Sequence, residues 1–509
     1  MSSELEQADT KPTGDIESES QSYESQDHVI LTADQKIAET KKLAEQYGIN
    51  EKAFMRKVDL WVVPPMILLY FLAFIDRINV GNAKAFGMEK AIGLHGHQYN
   101  TALAVFFVPY IFFEVISNKA LKIVKPHIWL SSLILLFGAV TIGMGFVKNY
   151  GQLVACRFLL GIFEAGTFPG IFYVLSTYYS PIEAQKRFSF FFSSTCLAGA
   201  AGGSIAYRIH DLNGKHGIDS WAWIFIIEGS FTAGLALLLF FCIPDFPETS
   251  RFLNENEREF LKKKLQIHTV DSGFDYEYTF SDMWTQFKKD PTFIYTSLAY
   301  FGLIIPAYGY AYFAPTIVQQ SGYTNAQSAQ AHSVYPWLLA FGATNIVAYF
   351  SDLTRIRSPY ALGSGLVGLV GLAMVLGSHD PSVRYGGCFL TAGGLYSCMP
   401  QLICWNSLNF NGHVRKALGT SFQIGFGNIG GIIAVFIFLS KDSPRFVTGL
   451  SVCLAFTVFA LVMICVIAFH CKRMNDKKAT VAYRQKFFAR EEKEIAFDGD
   501  LNPNFEYLY

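Results

Sequence analysis

Long apolar stretches alternate with short polar breaks along the chain, and the stretches recur at the length a bilayer demands. A helix needs about 20 apolar residues to cross a hydrocarbon core about 30 Å thick. By that ruler, spans are predicted near residues 59–83, 98–118, 128–147, 150–176, 187–208 and 221–243. A polar stretch, 244–290, interrupts the pattern. Six more spans are then predicted near 291–314, 327–350, 359–377, 385–408, 417–439 and 447–470. The expected fold is all-α: a polytopic membrane protein of 12 transmembrane helices in two pseudo-symmetric bundles of six. Its parts are an amino-terminal tail over 1–57, a first bundle over 58–243, a linker over 244–290, a second bundle over 291–471 and a tail over 472–509.

Charge sharpens that picture. The 509 residues hold 41 Lys+Arg and 41 Asp+Glu, of which 19 fall in the first 57 residues, 17 in 244–290 and 15 in the last 39. The remaining 366 residues share 31 charges, far below the roughly 25% of an average soluble domain. A soluble surface built from them could not be wetted, so a soluble enzyme is excluded. The amino-terminal tail is acidic and rich in Ser, Glu and Gln, the composition of a disordered cytosolic segment. Nine cysteines sit singly, nearly all in apolar runs, with no CxxC pair, and read as buried hydrophobes. If the amino terminus is inside, the short inner loops carry Lys119, Lys122, Lys125, Lys186, Arg187, Arg355, Arg357, Arg415 and Lys416. The tails beside the first and last spans add more lysine and arginine, and this excess predicts two cytosolic termini.

The functional argument starts from ionisable residues inside the spans. Each costs about 2.5–3.5 kcal/mol at a helix centre on insertion scales, so it persists where it faces a cavity or a partner. These are Asp76 and Arg77 in span 1, Glu114 in span 2, Arg157 and Glu164 in span 4, and Glu228 in span 6. At 1.5 Å per residue, Arg157 lies roughly 10 Å and Glu164 roughly 21 Å below the outer end of span 4, with Asp76 and Arg77 at roughly 12–14 Å. Arg157, Gly161 and Glu164 share one helix face. Two cations and two acids are therefore expected to converge on one cavity. A guanidinium suits a carboxylate, which it holds by two parallel hydrogen bonds, and a desolvated acid binds a proton more readily. Internal ion pairing is the structural alternative for this set, and it is the reading preferred for Glu228, while Glu114 fits either role.

Here the residues carry a resemblance. The runs Phe74-Ile-Asp76-Arg77-Ile-Asn79, Phe106-Phe-Val-Pro109-Tyr110 through Glu114, and Arg157-Phe-Leu-Leu-Gly161-Ile-Phe-Glu164-Ala-Gly166 resemble the anion:cation symporter branch of the major facilitators. The nearest resemblance is to fungal allantoate and nicotinate permeases. It implies a monomeric plasma-membrane symporter of a small organic anion and protons, with the site between the halves. By motif, Asp76 and Glu164 resemble the proton-binding acids, and Arg77 and Arg157 the cations that organise them and meet substrate. Tyr110, Trp405 and Asn428 resemble cavity residues, as do Ser194 or Thr195. The family's loop signature is incomplete here: Ser351-Asp352-Leu-Thr-Arg355-Ile-Arg357 remains, and Asp352 with a nearby arginine is the expected latch of the inner gate, with Glu114 a further gating candidate.

Span 7 adds Tyr308 and Tyr312, spaced i, i+4. Both are able to stack a flat acid such as nicotinate held by Arg77 or Arg157, although aromatic residues near a span end more often form an interfacial belt. Nicotinate is thus the preferred substrate, with allantoate, pantothenate or another organic anion as alternatives. An uncoupled facilitator, an exporter and a nutrient sensor are the alternative functions. No metal constellation, nucleophile elbow or phosphate loop appears, so no enzyme activity, cofactor, metal or nucleic-acid partner is expected. The match of Gly363-Ser-Gly365-Leu-Val-Gly368 to a dinucleotide-binding pattern lies within an apolar helix, with no strand before it.

Overall fold

The computed structural model describes residues 33–268, 290–323, 325–354, 356–410, 413–438, 442, 445–489, 499–503 and 505–508. The helices that match the predicted spans are Glu51–Ala85, Gln98–Ile123, Pro126–Met144, Tyr150–Glu164 with Thr167–Tyr178, Pro181–Ile209 and Ser220–Cys242 in the first half. In the second half they are Thr292–Gln320, Ala326–Thr354, Ser358–Gly377, Pro381–Asn409, His413–Ile437 and Val447–Lys478. These are called spans 1 to 12 below. Nine of them are long and apolar enough to cross a membrane by composition among the described residues. The other three, spans 2, 8 and 10, run 26 to 29 residues and have the length to cross. All three pack across the interface between the halves, span 2 on span 11 and spans 8 and 10 on span 5.

Helix ends follow local chemistry. Asn50 caps span 1 by accepting from the Ala53 amide, Asn149 caps span 4 through the Gln152 amide, and Ser180 with Glu183 forms a capping box on span 5. Such caps satisfy amides that have no partner within the helix. Span 4 is not the continuous helix expected: it breaks at Ala165–Gly166, directly after Glu164. Pro169 has no N–H to give the Ala165 carbonyl. A Cβ at Gly166 would overlap the Ser117 side chain, so glycine there lets span 2 press against the break. Residues 33–57 of the amino-terminal tail are largely helical, where composition suggested disorder. A helix over Ala33–Gln46 packs against the linker helix Glu255–His268, and span 1 begins at Glu51.

At the end that carries the termini, ion pairs gather the first half. Lys264 of the linker helix reaches Glu51 and Glu183, Arg187 pairs with Asp59, and Lys57 with Glu257. The linker helix Glu255–His268 thus belongs to the first half. At the opposite end the halves touch closely. Span 1 meets span 7 where Gly81 faces the Tyr312 carbonyl, and span 5 meets span 8 where Gly199 faces the Trp337 ring. Span 2 meets span 11 where the Asn100 side chain donates to the Val435 and Phe438 carbonyls. The molecule is closed at that end.

A Cβ at Gly81 would lie 2.5 Å from the Tyr312 carbonyl oxygen. Overpacking of this kind costs about 1–3 kcal/mol. Gly81→Ala is therefore expected to wedge spans 1 and 7 apart and populate the state open at this end. Maleimide labelling of a cysteine placed at the buried Ser333 on the same seam should speed up about tenfold. An unchanged rate would show that the seam does not govern opening.

Candidate functional site

Every predicted in-span charge is buried: Asp76, Arg77, Glu114, Arg157, Glu164 and Glu228 are each 1–3% exposed. None of the six faces lipid. Their arrangement differs from the single four-residue cavity expected from depth alone, because neighbours on a helix point about 100° apart. Arg77 leaves span 1 towards the second half, whereas Asp76 leaves it towards the interior of the first.

Arg77 is the hub on the interface side. Its Nε donates to Glu164 Oε1 at 2.8 Å, Nη2 donates to the same oxygen, and Nη1 donates to the Tyr308 hydroxyl. The Tyr308 hydroxyl in turn lies 3.5 Å from Asn428 Oδ1. The guanidinium sits over the rings of Phe106, Tyr110 and Tyr308, at 5.2, 5.1 and 5.7 Å from their centroids. Aromatic faces stabilise a desolvated cation through their quadrupole. Tyr308 and Tyr312 are themselves stacked, 5.8 Å apart with planes 19° from parallel. Both are buried between the halves, so they form no belt at a lipid interface. Arg77, Tyr110, Tyr308 and Asn428 thus join spans 1 and 2 of one half to spans 7 and 11 of the other.

Arg157 is different. Its side chain is buried, and neither Nε nor Nη2 has a hydrogen-bond partner. The groups it senses are Tyr312, Tyr99 and Glu164. A buried cation without a full set of partners is costly to hold.

Behind span 1, Asp76 is buried near Thr141 and Thr232 with neither carboxylate oxygen hydrogen-bonded, and it senses the charges of Glu164, Glu228 and Arg157. Glu228 accepts from the Asn79 amide. The preference for a purely structural Glu228 set it apart from the cluster, and the structure brings it alongside Asp76. Its depth carried the signal: eight residues into span 6 is about 12 Å, the level of Asp76 and Arg157. Asn79 and Tyr99 also went unsingled.

Other predicted residues are placed elsewhere. Trp405 does not join the cluster, because its indole N–H donates to the Leu508 carbonyl near the terminal end of span 10. Thr195 bonds back to the Phe192 carbonyl, and Ser194 is buried with no hydrogen-bond partner. Glu114 lies one turn beyond Tyr110, facing span 11 where Gly425 leaves room, and neither carboxylate oxygen is hydrogen-bonded. Arg357 holds Asp352 at 2.7 Å and Ser351 at 2.8 Å. That pair closes the turn between spans 8 and 9, all within the second half. Arg355 lies outside the described residues. All nine cysteines are free, and no cluster able to hold a metal occurs among the described residues.

The comparisons agree with this architecture. The sequence profile of the Major Facilitator Superfamily matches residues 66–435. A high-affinity nicotinic acid transporter of Saccharomyces cerevisiae is 35% identical over 463 residues, covering 90% of this chain and 85% of its own. A major facilitator-type transporter of Emericella nidulans is 28% identical, covering 90% and 93%. Among solved structures, an inward-facing bacterial homologue of the human lysosomal transporter Spinster superposes with a TM-score of 0.61 at 15% identity, covering 80% of this chain and 95% of that one. A proton:xylose symporter superposes equally well, with a TM-score of 0.61 at 14% identity, covering 79% and 94%. Those two show the fold alone. With the profile match over most of both bundles, the chain belongs to the major facilitator superfamily and is a multi-pass membrane transporter rather than an enzyme.

Proposed function

We propose that this transporter carries a small organic carboxylate, of the size and flatness of nicotinate, into the cell together with a proton. The observation that carries the reading is the buried Arg157 guanidinium, whose Nε and Nη2 have no hydrogen-bond partner, alongside an Arg77 that Glu164 already neutralises. Arg157 lies nearer the outer end than Glu164, so an anion entering from that end meets the unpaired cation first. To engage Arg77 as well, it must displace Glu164, and a carboxylate surrenders a guanidinium most easily once it is protonated. Substrate and proton then occupy the site together, and the cluster stays close to neutral while the halves rock about it. The stacked Tyr308 and Tyr312 offer a flat aromatic acid a face, in keeping with the nicotinic acid transporter among the relatives.

Plasma-membrane placement and cytosolic termini follow from the same reading and from the lysine and arginine bias of the loops. The test is uptake. Cells expressing the chain should accumulate labelled nicotinate, or a related carboxylate, several-fold faster at about pH 5 than at about pH 7.5, and an uncoupler should abolish accumulation. Uptake indifferent to both rejects the coupling. Competition by a panel of carboxylates then names the substrate.

A further inference from the structure

Residues 499–503 and 505–508 fold back onto the end of the second half where span 12 finishes. Tyr507 donates its main-chain N–H to Asn475 Oδ1 at 2.9 Å and accepts from Asn475 Nδ2 at 2.8 Å. Leu508 repeats the pattern with Asn409: its N–H donates to Oδ1 at 2.8 Å and its carbonyl accepts from Nδ2 at 2.9 Å. The second acceptor position of the Leu508 carbonyl is filled by the Trp405 indole at 2.8 Å. In an extended chain, successive residues present their N–H and C=O to opposite sides. Asn475 of span 12 and Asn409 of span 10 are therefore two walls of a groove, each reading one residue of an extended peptide as a neighbouring strand would.

Charge fixes the register. Arg415, at the start of span 11, holds Asp500 through Nε and Nη2 and also holds Asp290, just ahead of span 7. Lys478 donates to the Asp500 and Phe505 carbonyls and lies 3.7 Å from the Tyr507 ring centroid, and the Tyr507 hydroxyl donates to Asp500 at 2.9 Å. Asp500, Arg415 and Tyr507 are each 0–1% exposed. These partners lie on the second half and the linker end beside it, so the segment ties spans 7, 10, 11 and 12 together.

We propose that this end of the second half is a peptide-binding groove whose ligand is the chain's own residues 499–503 and 505–508, read through the main chain, and that the bound segment straps spans 10, 11 and 12 into one moving body. The proposal does not depend on what is transported. Hydrogen–deuterium exchange of the full chain in lipid nanodiscs tests it. The Tyr507 and Leu508 amides should exchange at least ~100-fold slower than in a free peptide of the same sequence. Asn409→Ala with Asn475→Ala should restore most of that rate and also loosen the terminal turns of spans 10 and 12. Leu508→Pro removes the amide that Asn409 accepts from and leaves every helix unaltered. It should release Tyr507 by at least ~10-fold while the first half exchanges as before. Free-peptide rates in the unsubstituted chain, or protection that survives Leu508→Pro, would overturn it.

Discussion

Glu164→Gln is expected to leave a transporter that exchanges substrate across the membrane but never accumulates it. Glutamine keeps the shape of a protonated carboxyl, and it removes the negative charge that neutralises Arg77 through two hydrogen bonds to one oxygen. Arg77 is then permanently open to the substrate anion, so loading no longer waits for a proton. Counterflow in proteoliposomes should persist, whereas uptake driven by an imposed pH gradient should vanish. The rate should also lose its dependence on pH between about 5 and 7.5. A Glu164→Gln chain that still concentrates substrate would remove this residue from coupling and return attention to Asp76 and Glu228 behind span 1.

Arg157→Lys should be nearly as severe but of another kind. Lysine keeps the charge and loses the planar fork that grips a carboxylate with two parallel bonds. Charged hydrogen bonds are worth about 1.5–3 kcal/mol each, so substrate affinity should fall roughly tenfold to a hundredfold. Because the Arg77–Glu164 pair is untouched, accumulation at saturating substrate should survive. The measurement is the substrate dependence of uptake at fixed pH. A raised KM with the gradient response intact is expected, and an unchanged KM would show that Arg157 does not meet the substrate. Arg77→Lys makes the informative contrast, since it disturbs Glu164 and Tyr308 together and should damage coupling and binding alike.

Much of this was legible before any coordinates. The bilayer fixes the length of each span, so the division into two sixes is legible from run length, and nine of the twelve helices are also apolar enough to cross among the described residues. The cost of charge in hydrocarbon singled out Asp76, Arg77, Arg157 and Glu164, all of which are buried. Rise per residue put three of them at one level. The same arithmetic, applied to span 6, would have added Glu228.

Azimuth was the harder quantity. Depth follows from counting, but the direction a side chain faces depends on how each helix is rotated by its neighbours. Hence Asp76 and Arg77 were assigned to one cavity, and the structure sends them to opposite sides of span 1. Trp405 lies apart from the Arg77 cluster for a related reason. Its motif suggested the cavity, yet its indole is claimed by Leu508, a residue 103 positions away in sequence. A contact of that range leaves no periodic trace in the chain.

The sequence by itself therefore determined which residues lie in the membrane and which charges need a reason to be there, since burial cost is a property of each side chain and its depth. Only the tertiary structure decided that Arg77 is satisfied while Arg157 is not, that Tyr308 closes the site from the opposite half, and that the chain's own end occupies a groove. Those are matters of which neighbour reaches a given atom first, and packing between distant segments settles them.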